Sequence, residues 1–257
     1  MRIMSYNILA PTYARPDRYP FTDRDLLTWE ARRDRLTARL RGSGADVICL
    51  QEVEAYIFQY LQGVLEPYGL EGIYAQKRQG RPDGCATFYN TERVVRLASR
   101  AHHYCDGDGE CDSGHVALIA RLEADGRAMT AINTHIRWGS PDERGRAHIG
   151  YRQVSELLDK VISRVEEPCI VCGDFNAEPA RDLIQRMLSH GLSDAYAGAP
   201  QPTANSDRKA KRIDYIFHSS ALTSQPAELP PIGDETPLPS ETEPSDHLPI
   251  SADISLV

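Results

Sequence analysis

The sequence predicts a layered α/β protein folded as one domain, on three observations. Short apolar runs of the kind that form buried strands alternate with longer segments whose apolar residues recur at helical spacing. Many of the short runs begin or end at an Asn, Asp, Glu or His, and strand ends of layered α/β folds converge on one rim. The 257 residues show no internal repeat, and the Pro- and Glu-rich stretch 224–244 precedes a strand the fold still needs, so it reads as an exposed, mobile loop rather than a linker.

Composition sets further bounds. With 41% apolar and 26% charged residues the chain is globular and long enough to bury a core. No run approaches a membrane span, and Met1–Asn7 is too briefly apolar for a signal peptide, so the expected setting is the cytoplasm. A net charge of −8 argues against a broad polyanion-binding surface. It leaves room for a phosphate-ester substrate if a cation offsets a carboxylate-rich site. Of six cysteines, Cys169 and Cys172 sit on a strand-like run without a second pair, and read as small buried hydrophobes. Cys105 and Cys111 flank a loop and would bridge only in an oxidising compartment.

Taken in order, Ile3–Leu9 predicts a strand with Asn7 near its end, before a turn at Pro11. Residues 22–41 predict a helix capped by Thr22 or Asp23 and stopped at Gly42 and Gly44, with Arg32, Arg33, Arg35 and Arg39 on a solvated face. Asp46–Glu52 predicts a buried strand ending at Glu52, and 54–66 a second helix closed near Pro67 and Gly69. Ile73–Gln76 and Cys85–Tyr89 predict strands joined by a polar loop, Lys77–Gly84. Tyr104–His115 predicts an acidic loop in which Asp106, Asp108, Glu110 and Asp112 alternate without the Gly and Glu of a calcium loop. Val116–Glu123 and Ala128–Thr134 predict a strand pair around Asp125-Gly126, delivering His135 at its end.

Residues 146–166 predict an amphipathic helix through Val154, Leu157, Leu158, Val161 and Val165. The run 170–172 predicts a buried strand stopping at Gly173, where the backbone can bend and another group come close. Asp174 and Asn176 follow, two apart. In an extended segment both side chains project one way; in a turn both are ordinary capping residues. A helix is expected from Pro179 to about His190, then the basic cluster Arg208–Arg212, a strand carrying Asp214, and a last strand to Val257 preceded by Asp246 and His247.

Asn7, Glu52, His135, Asp174, Asn176, Asp214, Asp246 and His247 are therefore the candidate site. Carboxylate and carboxamide oxygens suit a hard cation such as Mg2+ that keeps waters for a substrate phosphate. Histidines and an Asn can hydrogen-bond phosphate oxygens, and a carboxylate beside a His fixes its tautomer and supports its charge. No Walker loop, dinucleotide fingerprint or zinc-protease motif is present.

Six ordered motifs carry a resemblance over nearly the whole chain: Ser5-Tyr6-Asn7, Gln51-Glu52-Val53, Asn133-Thr134-His135, Gly173-Asp174-Phe175-Asn176, Arg212-Ile213-Asp214-Tyr215 and Ser245-Asp246-His247-Leu248-Pro249. With them the chain resembles the endonuclease/exonuclease/phosphatase superfamily. Trp29-Glu30-Ala31-Arg32-Arg33, Asp83-Gly84-Cys85-Ala86 and His135-Ile136-Arg137-Trp138 make it most similar to the deadenylase, nocturnin and angel-like branch. The resemblance implies a four-layer α/β sandwich, two packed and mainly antiparallel sheets flanked by helices, as one catalytic domain over 1–257. It implies a Mg2+ site (Mn2+ as substitute) at Glu52, with Asn7 and Asp246 nearby. Asp174 and Asn176 would activate or orient the attacking water. His135 and His247 would bind the scissile phosphate, with Asp214 holding His247. Arg137, Trp138, Lys209 and Arg212 are the expected substrate contacts.

The implied activity is Mg2+-dependent phosphodiester hydrolysis by a monomer, as a 3′-exonuclease on RNA or short single strands. The alternative is a phosphatase or phosphodiesterase acting on a small nucleotide or phosphorylated metabolite. That alternative is favoured by the acidic charge and by Lys209, Ala210, Lys211 and Arg212 standing where the branch usually carries a stacking aromatic.

Overall fold

The computed structural model describes residues 1–105, 113–199, 201–206 and 208–257. In chain order its main elements are β1 (Arg2–Asn7), α1 (Trp29–Gly42), β2 (Val47–Glu54), α2 (Ala55–Leu65), β3 (Leu70–Gln76), β4 (Asp83–Asn90), β5 (Val95–His103), β6 (Val116–Ala124), β7 (Arg127–His135), α3 (Ile149–Glu156), β8 (Cys169–Asp174), α4 (Asp182–Ser189), β9 (Ser193–Asp194), β10 (Ala204–Ser206), β11 (Lys209–Lys211), β12 (Asp214–His218), β13 (Leu222–Pro226) and β14 (Ile250–Leu256). One six-stranded sheet runs β13-β14-β1-β2-β4-β3, the other β5-β6-β7-β8-β12-β9, and β10 and β11 form a small hairpin.

Each large sheet has one parallel pair at its centre, β1 with β2 and β7 with β8, bridged by α1 and α3 respectively. The other pairings are antiparallel. The central strands are apolar on both faces, and each face buries a different layer. Ile3, Val47 and Cys49 meet Ala131, Ile170, Cys172 and Ile216 between the sheets. Met4, Tyr6, Ile48 and Leu50 turn outward onto Leu36 and Leu40 of α1 and Ile57 and Leu61 of α2. Ile132 and Val171 turn outward onto Val154 of α3 and Leu183 of α4. The result is the expected helix–sheet–sheet–helix sandwich, and Cys169 and Cys172 are buried as expected.

Several expectations are corrected. Residues 22–41 are not one helix: Asp23 caps a 3-10 turn, Arg24–Leu27, and α1 starts after Thr28, whose Oγ1 accepts the Ala31 N–H. Arg32 does not lie on a solvated face. It is fully buried and donates to the carbonyls of Ile8, Leu9, Leu27 and Pro244, which is how a buried guanidinium avoids its desolvation cost. Arg35 and Arg39 donate to Ser240 and Thr242 carbonyls. The segment 224–244 is thus fastened to α1 by arginines that donate to its backbone oxygens, with Arg39 also paired to the Glu243 carboxylate at 3.1 Å, and its first residues belong to β13.

β5 was not expected as a strand, because nothing in Val95–Ala101 is buried and the apolar alternation that marks a strand is missing. The 146–166 helix begins at Ile149, and its last turns widen into a π segment, Leu157–Val161, and then tighten into a 3-10 turn, Ile162–Arg164. The alternating acids Asp106, Asp108, Glu110 and Asp112, and Cys111, lie outside the described residues. Among the described residues no helix is long and apolar enough to cross a membrane.

Candidate active site

One row of side chains crosses the second sheet. His135 at the end of β7 is in register with Asp174 at the end of β8, and Asp174 is in register with Asp214 at the start of β12. Gly173 makes the close approach possible. Its φ is +153°, and a Cβ there would lie 1.8 Å from the Thr134 carbonyl oxygen.

The first sheet supplies Asn7 at the end of β1 and Glu52 from β2. Glu52 does not end its strand as expected: β2 continues to Glu54, and Glu52 sits at a β-bulge between Gln51 and Val53 with φ 58°. Bulges re-aim side chains, and this one turns an acid out of the ladder. Leu9 and Asn176 are also left-handed, at φ 55° and 50°. Such conformations cost on the order of 1–3 kcal/mol each and persist where surrounding contacts impose them.

Asn7 joins the two sheets. Its Nδ2 donates to Glu52 Oε1 at 3.1 Å and to Asp174 Oδ2 at 3.0 Å, while its Oδ1 accepts the Leu9 N–H. Glu52 Oε2 accepts the Ala10 N–H at 2.9 Å. Asp246 and His247 arrive on the turn before β14, and Ser245 Oγ donates to the Asn7 carbonyl at 2.7 Å. His247 Nδ1 is 2.9 Å from Asp214 Oδ2, and its Nε2 is 3.7 Å from Asp174 Oδ2 and 4.0 Å from Asp246 Oδ1. All eight candidate residues are thereby brought to one rim. Asp174 and Asn176 are not side by side on an extended strand: Asn176 N donates to Asp174 Oδ1 at 2.8 Å, an Asx turn that carries the Asn176 carboxamide to 3.0 Å from His135 Nε2.

The two histidines differ in charge. Burial opposes ionisation of His247, but Asp214, Asp246 and Asp174 together hold its pKa well above the ordinary value. Burial and the neighbouring Lys77, His115 and His247 push His135 well below it, so His135 is neutral. A donor faces each ring nitrogen of His135, Lys77 Nζ at 3.3 Å from Nδ1 and Asn176 Nδ2 at 3.0 Å from Nε2, and Nε2 also lies 3.6 Å from Asp174 Oδ2. Burial raises the Asp174 carboxyl to about 7, against the pull of His247. Burial, then Asp246 and Asp83, raise Glu52.

Several side chains here were not anticipated. Lys77 and Asp83, expected in a polar loop, form a buried ion pair at 2.6 Å, and Tyr13 donates to Asp83. Tyr19 donates to Asp246 Oδ2 at 2.9 Å, and Thr203 Oγ1 donates to Asp214 Oδ2 at 2.6 Å. His115 Nδ1 donates to the His135 carbonyl at 3.0 Å. Only the Asp83-Gly84-Cys85-Ala86 resemblance pointed toward any of them.

Of the expected substrate contacts, Arg212 is corrected. It is buried, ion-paired with Asp194 at 2.5 Å, and its guanidinium lies over the Tyr215 ring, so it holds β12 to β9. Arg137, Trp138 and Lys209 are exposed, and none donates to the cluster.

The donor set fits a hard divalent cation. The carboxylates of Glu52, Asp83, Asp174, Asp214 and Asp246 outnumber the cations beside them, Lys77, buried Arg32 and charged His247, and burial with like charges raises Glu52, an excess that a bound cation would relieve. Asp174, Asp214 and His247 also bring ligand-type atoms within 4.8 Å of one another. In that trio His247 is protonated and spends Nδ1 on Asp214, so it suits an anion better than a metal.

A layered sandwich with this rim defines a class, and the sequence profile of the endonuclease/exonuclease/phosphatase family matches residues 4–247: the chain belongs to that family. Nocturnin of Mus musculus is 27% identical over 99% of the chain, which spans 65% of that protein's length. The solved human nocturnin catalytic domain, with a bound sulfate, is 28% identical with a TM-score of 0.79, covering 100% of this chain and 93% of that one. ANGEL2, described as a 2′,3′-cyclic phosphatase, shares the fold with a TM-score of 0.88 at 24% identity, covering 98% of this chain and 94% of its own.

Proposed function

We propose that this chain is a metal-dependent phosphoesterase that hydrolyses phosphodiester bonds, acting as a cytoplasmic 3′-exonuclease, monomeric, on RNA or short single strands. The observation that carries the reading is the Asn7 carboxamide holding Glu52 and Asp174 together beside one charged and one neutral histidine. Similarity to nocturnin over almost the whole chain supports it.

Glu52, Asp246 and Asn7, through its remaining lone pair, would hold the cation, with Mg2+ the best match to an all-oxygen set and Mn2+ a substitute. Bound there, it supplies charge neutralisation and Lewis acidity at a phosphate oxygen. Asp174, poised near 7, takes the proton of the attacking water, which the Asn176 carboxamide helps to orient. His247, kept charged by Asp214, and neutral His135 donate to the phosphate oxygens as negative charge builds on them. Thr203 and Tyr19 fix the carboxylates of Asp214 and Asp246 by donating to them.

A second reading, hydrolysis of a small phosphorylated molecule, is favoured by Arg212. With that arginine buried against Asp194, the basic segment before β12 offers less to a polymer than its sequence implies. A hydrolysis panel with Mg2+ or EDTA separates the two: poly(A), mixed RNA, single- and double-stranded DNA, and mononucleotides. EDTA-sensitive shortening of RNA from its 3′ end is the expected result. Phosphate release from mononucleotides with polymers intact selects the second reading, and no hydrolysis of any member refutes both.

A further inference from the structure

At the end of the second sheet remote from the candidate site, β5 is an edge strand: among the described residues it pairs only with β6. All side chains from Val95 to Ala101 are exposed, Val95 at 57% and Leu97 at 41%. The stretch 93–103 carries Arg93, Arg96, Arg100, His102 and His103 and no acid of its own; Arg93, Arg96 and His102 are met by Asp46, Glu71 and Glu156, which leaves Arg100 as the arginine of the strand without an ion pair among the described residues. Beside the strand lies a groove of about 480 Å3, lined among others by Ala98, Arg100, Ile119, Arg121, Thr130 and Arg164.

Charges within the groove are unevenly satisfied. Glu167 accepts from Arg121 at 2.9 Å and from Thr130 at 2.8 Å. The guanidinium groups of Arg100 and Arg164 form no ion pair or hydrogen bond among the described residues, and Glu166 is the one other acid on the lining. The groove is also far from the chemistry. Thr130 pairs with Cys169 at one end of the β7–β8 ladder and His135 with Asp174 at the other, about 17 Å along the strand at ~3.3 Å per residue.

We propose that β5 and this groove dock an extended acidic segment of a partner protein, which adds a strand to the open edge and sets carboxylates against Arg100 and Arg164. A free edge offers the main-chain N–H and C=O groups that give such pairing its affinity, while the side-chain groove beside it gives specificity. A second copy of this chain is disfavoured as the occupant, because antiparallel pairing of two β5 strands would bring like charges, Arg96 and Arg100, into one patch. Single-stranded RNA shares the charge complementarity, but no aromatic side chain lines the groove to stack a base.

The test uses the full chain and a fluorescein-labelled nonapeptide of alternating Glu and Val, followed by anisotropy. Controls are the same peptide with Pro at every second Val, a Lys/Val peptide, and a nine-nucleotide RNA. The Glu/Val peptide is expected to bind, with amide exchange slowed in β5. The Pro and Lys peptides, and the R100E/R164E variant with the original peptide, should each bind about tenfold or more weakly. Both substituted positions are exposed and outside the catalytic rim, so hydrolysis of a short substrate by the variant should equal the parent's. Peptide binding indifferent to the prolines or to the arginines overturns the proposal. So does RNA that binds more tightly than the peptide with the same arginine dependence.

Discussion

The two sheets have matching centres, a parallel pair bridged by a helix, yet they bring different chemistry to the rim. The first sheet gives Asn7 and Glu52, and its carboxylate stands among other acids with its pKa raised. The second gives His135, Asp174 and Asp214 in one register row, where each acid faces a histidine. The first half is short of positive charge and the second is nearly balanced. Common topology positions both sets; the neighbours decide which half would suit a cation and which an anion.

That contrast can be broken most severely at the row. Asp174→Asn should lower hydrolysis by about 10³–10⁴-fold with the fold intact, measured as kcat with circular dichroism alongside. A loss under tenfold would remove Asp174 from proton transfer. His247→Gln should cost about 10²–10³-fold through the lost phosphate donor. On the first sheet Glu52→Gln should act differently, raising the Mg2+ concentration for half-activity by at least about 10–100-fold. If Glu52→Gln leaves the metal titration in place, the division of labour between the sheets is wrong.

The histidines sharpen the comparison without any substrate. His247 has its pKa raised in the fold, so its stabilisation is complete below about 6.5 and is lost as pH rises through its folded value. His135 has its pKa lowered, so its contribution is present above about 6.5 and is lost as pH falls toward the folded value. Thermal unfolding against pH in EDTA should therefore lose its alkaline slope in His247→Gln and part of its acid slope in His135→Gln. Slopes of the same sign would contradict the charge assignment. The smallest effect on activity belongs to Arg212→Ala. Breaking its buried pair with Asp194 should cost about 3–5 kcal/mol of stability in a denaturant titration, while cleavage of a short substrate at low temperature stays near the parent level.

Much of this was legible in the chain. Strands with both faces buried announced themselves as continuous apolar runs, and His135 and Asp174, the last residues of β7 and β8, reached the rim because a strand has few directions in which to deliver its last side chain. The left-handed turns at Glu52 and Asn176 were not legible, since neither is a glycine and the strain is imposed by contacts from other strands. Arg32 was misread for a similar reason: helical spacing says which face a residue occupies, and only the loops at Ile8, Leu9 and Pro244 make that face an interior rich in carbonyls.

By itself the sequence determined the layered α/β class, through periodicity, and pointed to the family and the eight residues of the rim, through six motifs in order along the chain. Tertiary structure alone decided the charge of each histidine, the buried partnership of Lys77 with Asp83, the removal of Arg212 from the surface and the open edge at β5. Those depend on which distant groups share a low-dielectric neighbourhood or fail to arrive in it, and distance through space is not written in the order of residues.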